Sequence, residues 1–233
     1  MFRQLMRGLA AATPAQCEVC RAWPGGPLCE SCRARFAAPR VRCALCALAL
    51  PDGVTACGRC LREGSPLDAC HAAVSYGYPW SGLVARFKFS GQAGWADGFA
   101  RLLLGSETVR RCIDAADRVV PMPLSPARLA ARGFNQAHEL ARRLAPRKTE
   151  PRLALRLRET PPQAELERTA RLANVRQAFA LEPARAHEVR GRRIVLVDDV
   201  MTSGASLHAL AAAFRAAGAA EVAAVVVART EDT

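Results

Sequence analysis

The apolar positions of this chain fall into two regimes that meet near Leu67. Beyond that point, short apolar runs alternate with stretches whose apolar residues recur every three or four positions. That pattern predicts strands interleaved with amphipathic helices. Strands are expected at 71–78, 118–122, 153–157, 193–197 and 221–228, and helices at 80–89, 95–104, 135–144, 168–179 and 207–217. Such alternation predicts an α/β domain with a mainly parallel sheet and helices on its faces. Its ligand belongs beyond the carboxyl ends of the strands. Residues 1–66 are different: they hold Pro/Gly clusters, Trp23-Pro24-Gly25-Gly26-Pro27 and Leu50-Pro51-Asp52-Gly53, and little apolar periodicity. So short a segment has little material for a core and needs another source of folding free energy. The division predicts an N-terminal module over 1–66 and an α/β domain over 67–233.

The most informative stretch is 194–206. Ile194-Val195-Leu196-Val197 reads as a strand buried on both faces. Asp198 and Asp199 follow at its carboxyl end, then Val200, Met201 and the small turn Thr202-Ser203-Gly204-Ala205-Ser206. An alanine-rich helix comes next, stopped by Gly218. Strand, acidic pair, turn and helix start together make a site for a phosphorylated sugar. Backbone N–H groups and the helix dipole hold a phosphate, helped by the hydroxyls of Thr202, Ser203 and Ser206. Carboxylates just upstream accept hydrogen bonds from vicinal ribose hydroxyls. A nucleotide-hydrolysing reading needs a Gly-x4-Gly-Lys-Ser/Thr loop, and the two lysines, Lys88 and Lys148, stand in no such setting. A phospho-acceptor domain would carry its acidic pair near the first strand, not near the end of the chain. An ordinary strand with two solvated aspartates is the remaining alternative.

Composition adds a bias toward anions. The formal net charge is +12, and all but two of the 33 basic residues are arginine. This favours phosphates, pyrophosphate or nucleic acid as partners. The charge is spread along the chain, so a solvated surface accounts for it equally well. One cluster is placed suggestively: Pro121-Met122-Pro123-Leu124, then Arg128 and Arg132-Gly133-Phe134-Asn135-Gln136. A strand end followed by a turn and arginines is where a pyrophosphate can be held, since guanidinium forks match phosphate oxygens. Lys88 either reaches the same group or is a solvated helix lysine.

Eight of the ten cysteines form four Cys-x2-Cys pairs: Cys17/Cys20, Cys29/Cys32, Cys43/Cys46 and Cys57/Cys60. Each pair can offer two thiolates to one tetrahedral ion, and two pairs close a site. The simplest arrangement is sequential, with Cys17, Cys20, Cys29 and Cys32 on one zinc and Cys43, Cys46, Cys57 and Cys60 on another. Interleaved pairing is the alternative. With every position filled from protein, these zincs are expected to be structural. A disulfide framework would need an oxidising compartment, and Arg7 interrupts what would be the apolar core of an export signal. No apolar run has the length of a membrane span, so a cytoplasmic protein is expected. Cys70 and Cys112 read as small buried side chains.

The 194–206 stretch resembles the PRPP (5-phosphoribosyl 1-pyrophosphate) motif of type I phosphoribosyltransferases, with Asp198 and Asp199 as the acidic pair and Thr202–Ser206 as the loop. The four cysteine pairs, Phe87-Lys88-Phe89-Ser90-Gly91, Arg132-Gly133-Phe134-Asn135-Gln136, Thr160-Pro161-Pro162-Gln163 (followed by Arg168, Arg171, Asn174-Val175 and Ala178-Phe179) and Val197–Gly204 resemble the ComF family in the same order. That resemblance implies a type I phosphoribosyltransferase-like domain behind a double zinc-ribbon module. It implies PRPP as ligand together with Mg²⁺, and transfer of the phosphoribosyl group with loss of pyrophosphate. Asp198 and Asp199 would grip the ribose and stabilise charge developing at its ring. Val200 to Ser206 would line the phosphate site. Arg132, with Lys88 and Pro123, would face the pyrophosphate. The family is linked to natural competence, so single-stranded DNA and a competence helicase or recombination protein are implied partners. The alternative it leaves is a non-catalytic PRPP-sensing adaptor. No residue stands out as an acid or base for an acceptor.

Overall fold

The structure is a computed structural model that describes residues 16–23, 27–89, 91–157 and 178–231. It divides into two compact units, Met1–Ala38 and Pro39–Thr233. The smaller unit contains one helix among its described residues, α1 (Glu30–Phe36), whose N-cap is Cys29. The larger unit begins with a cysteine-bearing segment and the short helix α2 (Gly58–Glu63), capped by Cys57. It continues through β1 (Ala69–Ser75), α3 (Trp80–Phe89), α4 (Trp95–Leu104), α5 (Glu107–Ala115), β2 (Arg118–Pro121), α6 (Pro126–Arg132) and α7 (Gln136–Leu144). Then come β3 (Ala154–Arg156), β4 (Phe179–Leu181), a 3-10 turn (Pro183–Val189), β5 (Arg193–Met201), α8 (Ala205–Ala216) and β6 (Glu221–Arg229).

Four strands form one sheet in the order β1-β6-β5-β2, and every neighbouring pair is parallel. The two central strands are apolar almost throughout and buried, as strands covered on both faces must be. β1, at an edge, is only partly buried. Helices α4 and α7 pack on the sheet and on each other, while α8 packs against β5, β6 and β4. β3 and β4 form a separate antiparallel pair, Ala154↔Leu181 to Arg156↔Phe179. Phe179 therefore opens a strand, whereas the sequence pattern had it ending a helix; the rest of the helix expected over 168–179, apart from Ala178, lies outside the described residues.

One further difference matters for the site. β5 does not stop at Val197 but continues through the acidic pair, with Asp198↔Val226, Val200↔Ala228 and Met201↔Arg229 in register with β6. The reason is the partner: β6 runs to Arg229 and goes on offering ladder groups to polar and apolar residues alike.

Candidate functional site

Successive strand residues point to opposite faces, so extension of β5 separates the two carboxylates. Asp199 is buried, and its Oδ1 lies 2.9 Å from Lys88 Nζ, brought in by the last turn of α3. Asp198 is half-buried, and its Oδ1 accepts the backbone N–H of Asp199 at 2.8 Å. Burial, and then the neighbouring Asp199 charge, pushes the Asp198 carboxyl up to about 7, against the opposing pull of Lys88, that N–H and Arg132.

After Met201 the chain turns sharply. Thr202 and Ser203 are exposed, and Gly204 has φ +81°. The left-handed φ is what requires glycine; a Cβ there would also displace the flexible tip of the Met201 side chain and meet the His208 ring at ordinary contact distance. Helix α8 begins at Ala205, whose N–H is 3.4 Å from Ser203 Oγ, and Ser206 lies in its first turn. First-turn N–H groups of a helix have no acceptor within it, and with the dipole they favour an anion. Burial, and then the Arg59 and Arg229 charges, lowers His208 to about 4, leaving a neutral ring beside Gly204.

The Arg132–Gln136 segment closes the other side. Met122 donates its N–H to the Val197 carbonyl at 2.9 Å, which carries the β2–β5 pairing one residue past Pro121 and leads the chain into Pro123. Asn135 caps α7 by accepting the His138 N–H at 3.1 Å, and its Nδ2 donates to the Met122 carbonyl at 3.0 Å. Gln136 is 1% exposed; it donates to the Lys88 carbonyl at 3.3 Å and accepts from Arg132 at 3.1 Å. The Arg132 guanidinium also lies over the exposed Phe89 ring, 5.1 Å from its centroid. Arg132, Gln136, Lys88 and Asp199 thus form one connected set. Lys88 is not the solvated helix lysine that the sequence allowed. The segment before Gly133 is a short helix rather than a turn, capped by Ser125 Oγ, and Arg128 is exposed on it. Gln136 and Phe89 had no role in the sequence reading, although both lie in motifs that it singled out. Thr160–Gln163, Arg168, Arg171 and Asn174-Val175 lie outside the described residues.

The cysteines converge in sequential fours. In each group, Cys17, Cys20, Cys29 and Cys32, then Cys43, Cys46, Cys57 and Cys60, the sulfurs lie within 4.8 Å of one another. The two groups share one local design. A Cys-x2-Cys turn ends in a left-handed residue, Arg21 at φ +62° and Ala47 at φ +56°. The third cysteine caps a helix and donates its N–H to the first cysteine's sulfur, at 3.4 Å from Cys29 and 3.3 Å from Cys57. Sγ–Sγ distances of 3.6 Å, Cys20 to Cys29 and Cys46 to Cys57, are close to the edge of a zinc-centred tetrahedron, about 3.8 Å for Zn–S bonds of about 2.3 Å. Zinc therefore fits both sets. Burial raises Cys43, but the N–H groups of Cys57 and Leu45 and the Cys46 thiol outweigh it and hold it at about 7.

The settings differ. In the first group Cys20 is exposed and Cys29 half-buried, whereas all four sulfur ligands of the second are buried. The second group packs into the core of the larger unit with Leu67, Cys70, Leu207, Leu210 and Phe214.

Residues 129–233 match the family described as phosphoribosyl transferase domain. The chain is 32% identical over 218 residues to the DNA utilization protein YhgH of Escherichia coli, covering 90% of this chain and 94% of that one. The chain belongs to the ComF family. It is also 32% identical to Competence protein F of Haemophilus influenzae, over 84% of this chain and 87% of that protein. Competence protein ComFC of Bacillus subtilis is 29% identical over 79% of this chain and 76% of its own. In this ComF-family chain the phosphoribosyl transferase match takes in Arg132 and Asp198–Ser206, while Lys88 and both cysteine groups precede it. Among the described residues, no helix is long and apolar enough to cross a membrane.

Proposed function

We propose that the protein binds PRPP with Mg²⁺ and transfers its phosphoribosyl group to an acceptor, releasing pyrophosphate. The observation that carries this reading is the continuous path from two carboxylates to a left-handed glycine and a helix start, Asp198 to Ala205. The 5′-phosphate takes the first-turn N–H groups of α8 and the hydroxyls of Thr202, Ser203 and Ser206. Asp198 and Asp199 accept hydrogen bonds from the ribose hydroxyls. As the bond from C1 to pyrophosphate breaks, its electron pair leaves with pyrophosphate, the acceptor's lone pair forms the new bond, and the carboxylates stabilise the positive charge on the sugar. Lys88 passes from Asp199 to the departing pyrophosphate, and Arg132, beside Pro123, faces the same group. The donor set fits a Mg²⁺ that arrives with its ligand: one carboxylate is already paired with Lys88, and Mg²⁺ keeps mostly water and phosphate oxygens in such sites. The names of the relatives, DNA utilization protein and competence protein, support a task in competence or the use of DNA.

Calorimetric titration of PRPP with Mg²⁺ into the zinc-loaded protein tests this. Saturable binding is expected, and it disappears in Asp198→Asn/Asp199→Asn with the circular dichroism unchanged. Undiminished affinity in that variant would remove the ribose role.

A second reading is an adaptor that senses PRPP and holds single-stranded DNA, or a competence helicase or recombination protein. Phe89, 73% exposed with Arg132 against its ring, is the feature that favours it, since aromatic and arginine planes stack on bases. Salt-sensitive binding of a single-stranded oligonucleotide that survives the double Asp→Asn change and falls in Phe89→Ala would support this reading.

A further inference from the structure

We propose that Arg229 is a positioning residue that ties the second cysteine group to the phosphate turn. Metal binding at Cys43, Cys46, Cys57 and Cys60 and PRPP binding at 202–206 then strengthen each other. The inference rests on the reading of the turn as a PRPP site.

Arg229 ends a strand in which seven apolar residues precede it, and it is 0% exposed. A charged side chain buried to this degree is held by hydrogen bonds from its donors, here from Nε and Nη1. Its Nε donates to the Cys46 carbonyl at 2.9 Å, and its Nη1 reaches the Met201 carbonyl at 3.4 Å and Thr230 Oγ1 at 3.1 Å. Cys46 offers its sulfur to the metal site, so the same residue anchors the metal and the guanidinium. Met201 is the last residue of β5, immediately before the turn.

A second path runs beside the first. The Cys70 N–H donates to the Ala44 carbonyl at 2.7 Å, within the Cys43–Cys46 turn, and the Cys70 thiol lies 3.6 Å from Met201 Sδ. Both paths meet at Met201, whose Cε fills the space that a Cβ on Gly204 would need. The floor under the turn is therefore set by the Cys43–Ala47 loop. That loop needs Ala47 at φ +56°, a conformation a non-glycine residue rarely adopts unless its surroundings impose it. Without metal the loop loses its central constraint, the Cys46 carbonyl moves, and Arg229 and Met201 lose their positions together. Linkage requires the converse: a ligand that fixes the turn must tighten the metal by the same factor.

The test measures zinc affinity at equilibrium against a chromophoric chelator, with and without saturating PRPP in excess Mg²⁺. It uses the full chain and a full-length Cys17→Ser/Cys20→Ser variant that leaves only the second site. Calorimetry on the same samples reports PRPP binding separately. The expected result is a second-site zinc affinity tighter by about fivefold or more with PRPP, and a first-site affinity that does not change. In Asp198→Asn/Asp199→Asn the effect vanishes, which excludes direct chelation of zinc by PRPP. Arg229→Lys keeps the charge but cannot fork between two carbonyls, and it brings the ratio toward one. If that variant does not fold, the measurement on the unsubstituted protein decides alone. PRPP bound with second-site zinc affinity unchanged overturns the coupling and spares the PRPP reading. Equal tightening at both sites overturns it too, as general stabilisation. No PRPP bound to the zinc-loaded protein overturns both.

Discussion

At the scale of the residue, the site holds two carboxylates in unlike states. Asp199 is buried against Lys88, so removing the amine strands a charge. Lys88→Met is expected to cost about 1–3 kcal/mol, the range for a buried group left without its partner. Lys88→Met/Asp199→Asn should recover most of that in urea unfolding; a double variant as unstable as the single one would show that the pair is not what holds the region. Asp198 works in the other direction. Burial and then the Asp199 charge raise its carboxyl from the ordinary value of 3.8 to about 7 in the folded chain. Between those values the folded state binds more protons, so this group's contribution to stability falls as pH rises and levels off above 7. Asp198→Asn removes the burden. At pH 8 it should melt higher than the unsubstituted protein, by about 2–4 °C if the gain is about 1 kcal/mol, with no difference at pH 4. Equal melting at pH 8 would mean that the carboxylate carries no such cost. A group kept at a cost to stability is what a functional site leads one to expect.

At the scale of the element, Gly204 is the junction of the site, because β5 hands the chain to α8 there through a left-handed residue. Gly204→Ala combines an unfavourable φ, about 1–2 kcal/mol, with displacement of the Met201 methyl. PRPP affinity is expected to fall about tenfold or more, with a lower melting temperature; unchanged affinity would separate the turn from the phosphate. This junction was legible in the sequence, since small residues after an apolar run leave few alternatives. Helices Trp80–Phe89 and Trp95–Leu104 were legible to the residue, because their apolar positions repeat at helical spacing. Helix α5 was not: it is rich in charge, and only Val109 and Ile113 are buried. No residue of helix α6 is fully buried, so no periodicity announced it. The passage of β5 through Asp198 and Asp199 was hidden for another reason, since pairing with β6 is non-local and overrides the local polarity. The residues that join the site, Gln136 and Arg229, carry no such signal: Gln136 lies inside a motif, and Arg229 lies one residue past the strand expected over 221–228.

At the scale of the whole molecule, one cysteine design stands in two settings. Each group has a turn, a left-handed fourth step and a cysteine-capped helix, yet one lies in a small unit and the other in the core of a large one. Metal supplies most of the folding free energy where the apolar core is slight and only part of it where the core is large. The first group, with Cys20 exposed, should therefore lose zinc at low chelator concentration, changing the circular dichroism only by the share of its cysteine-capped helix, Glu30–Phe36. The second should lose zinc later, because its sulfurs become accessible only when the packing around Cys43, Cys46, Cys57 and Cys60 opens. That later loss should lower the melting temperature of the α/β unit and weaken PRPP binding by the same factor that PRPP tightens the metal, in the same concentration range. Native mass spectrometry during a chelator titration, read beside circular dichroism, resolves the order: two zincs, then one, then none. Simultaneous release of both ions would show that local design, and not the surrounding core, governs how each site holds its metal.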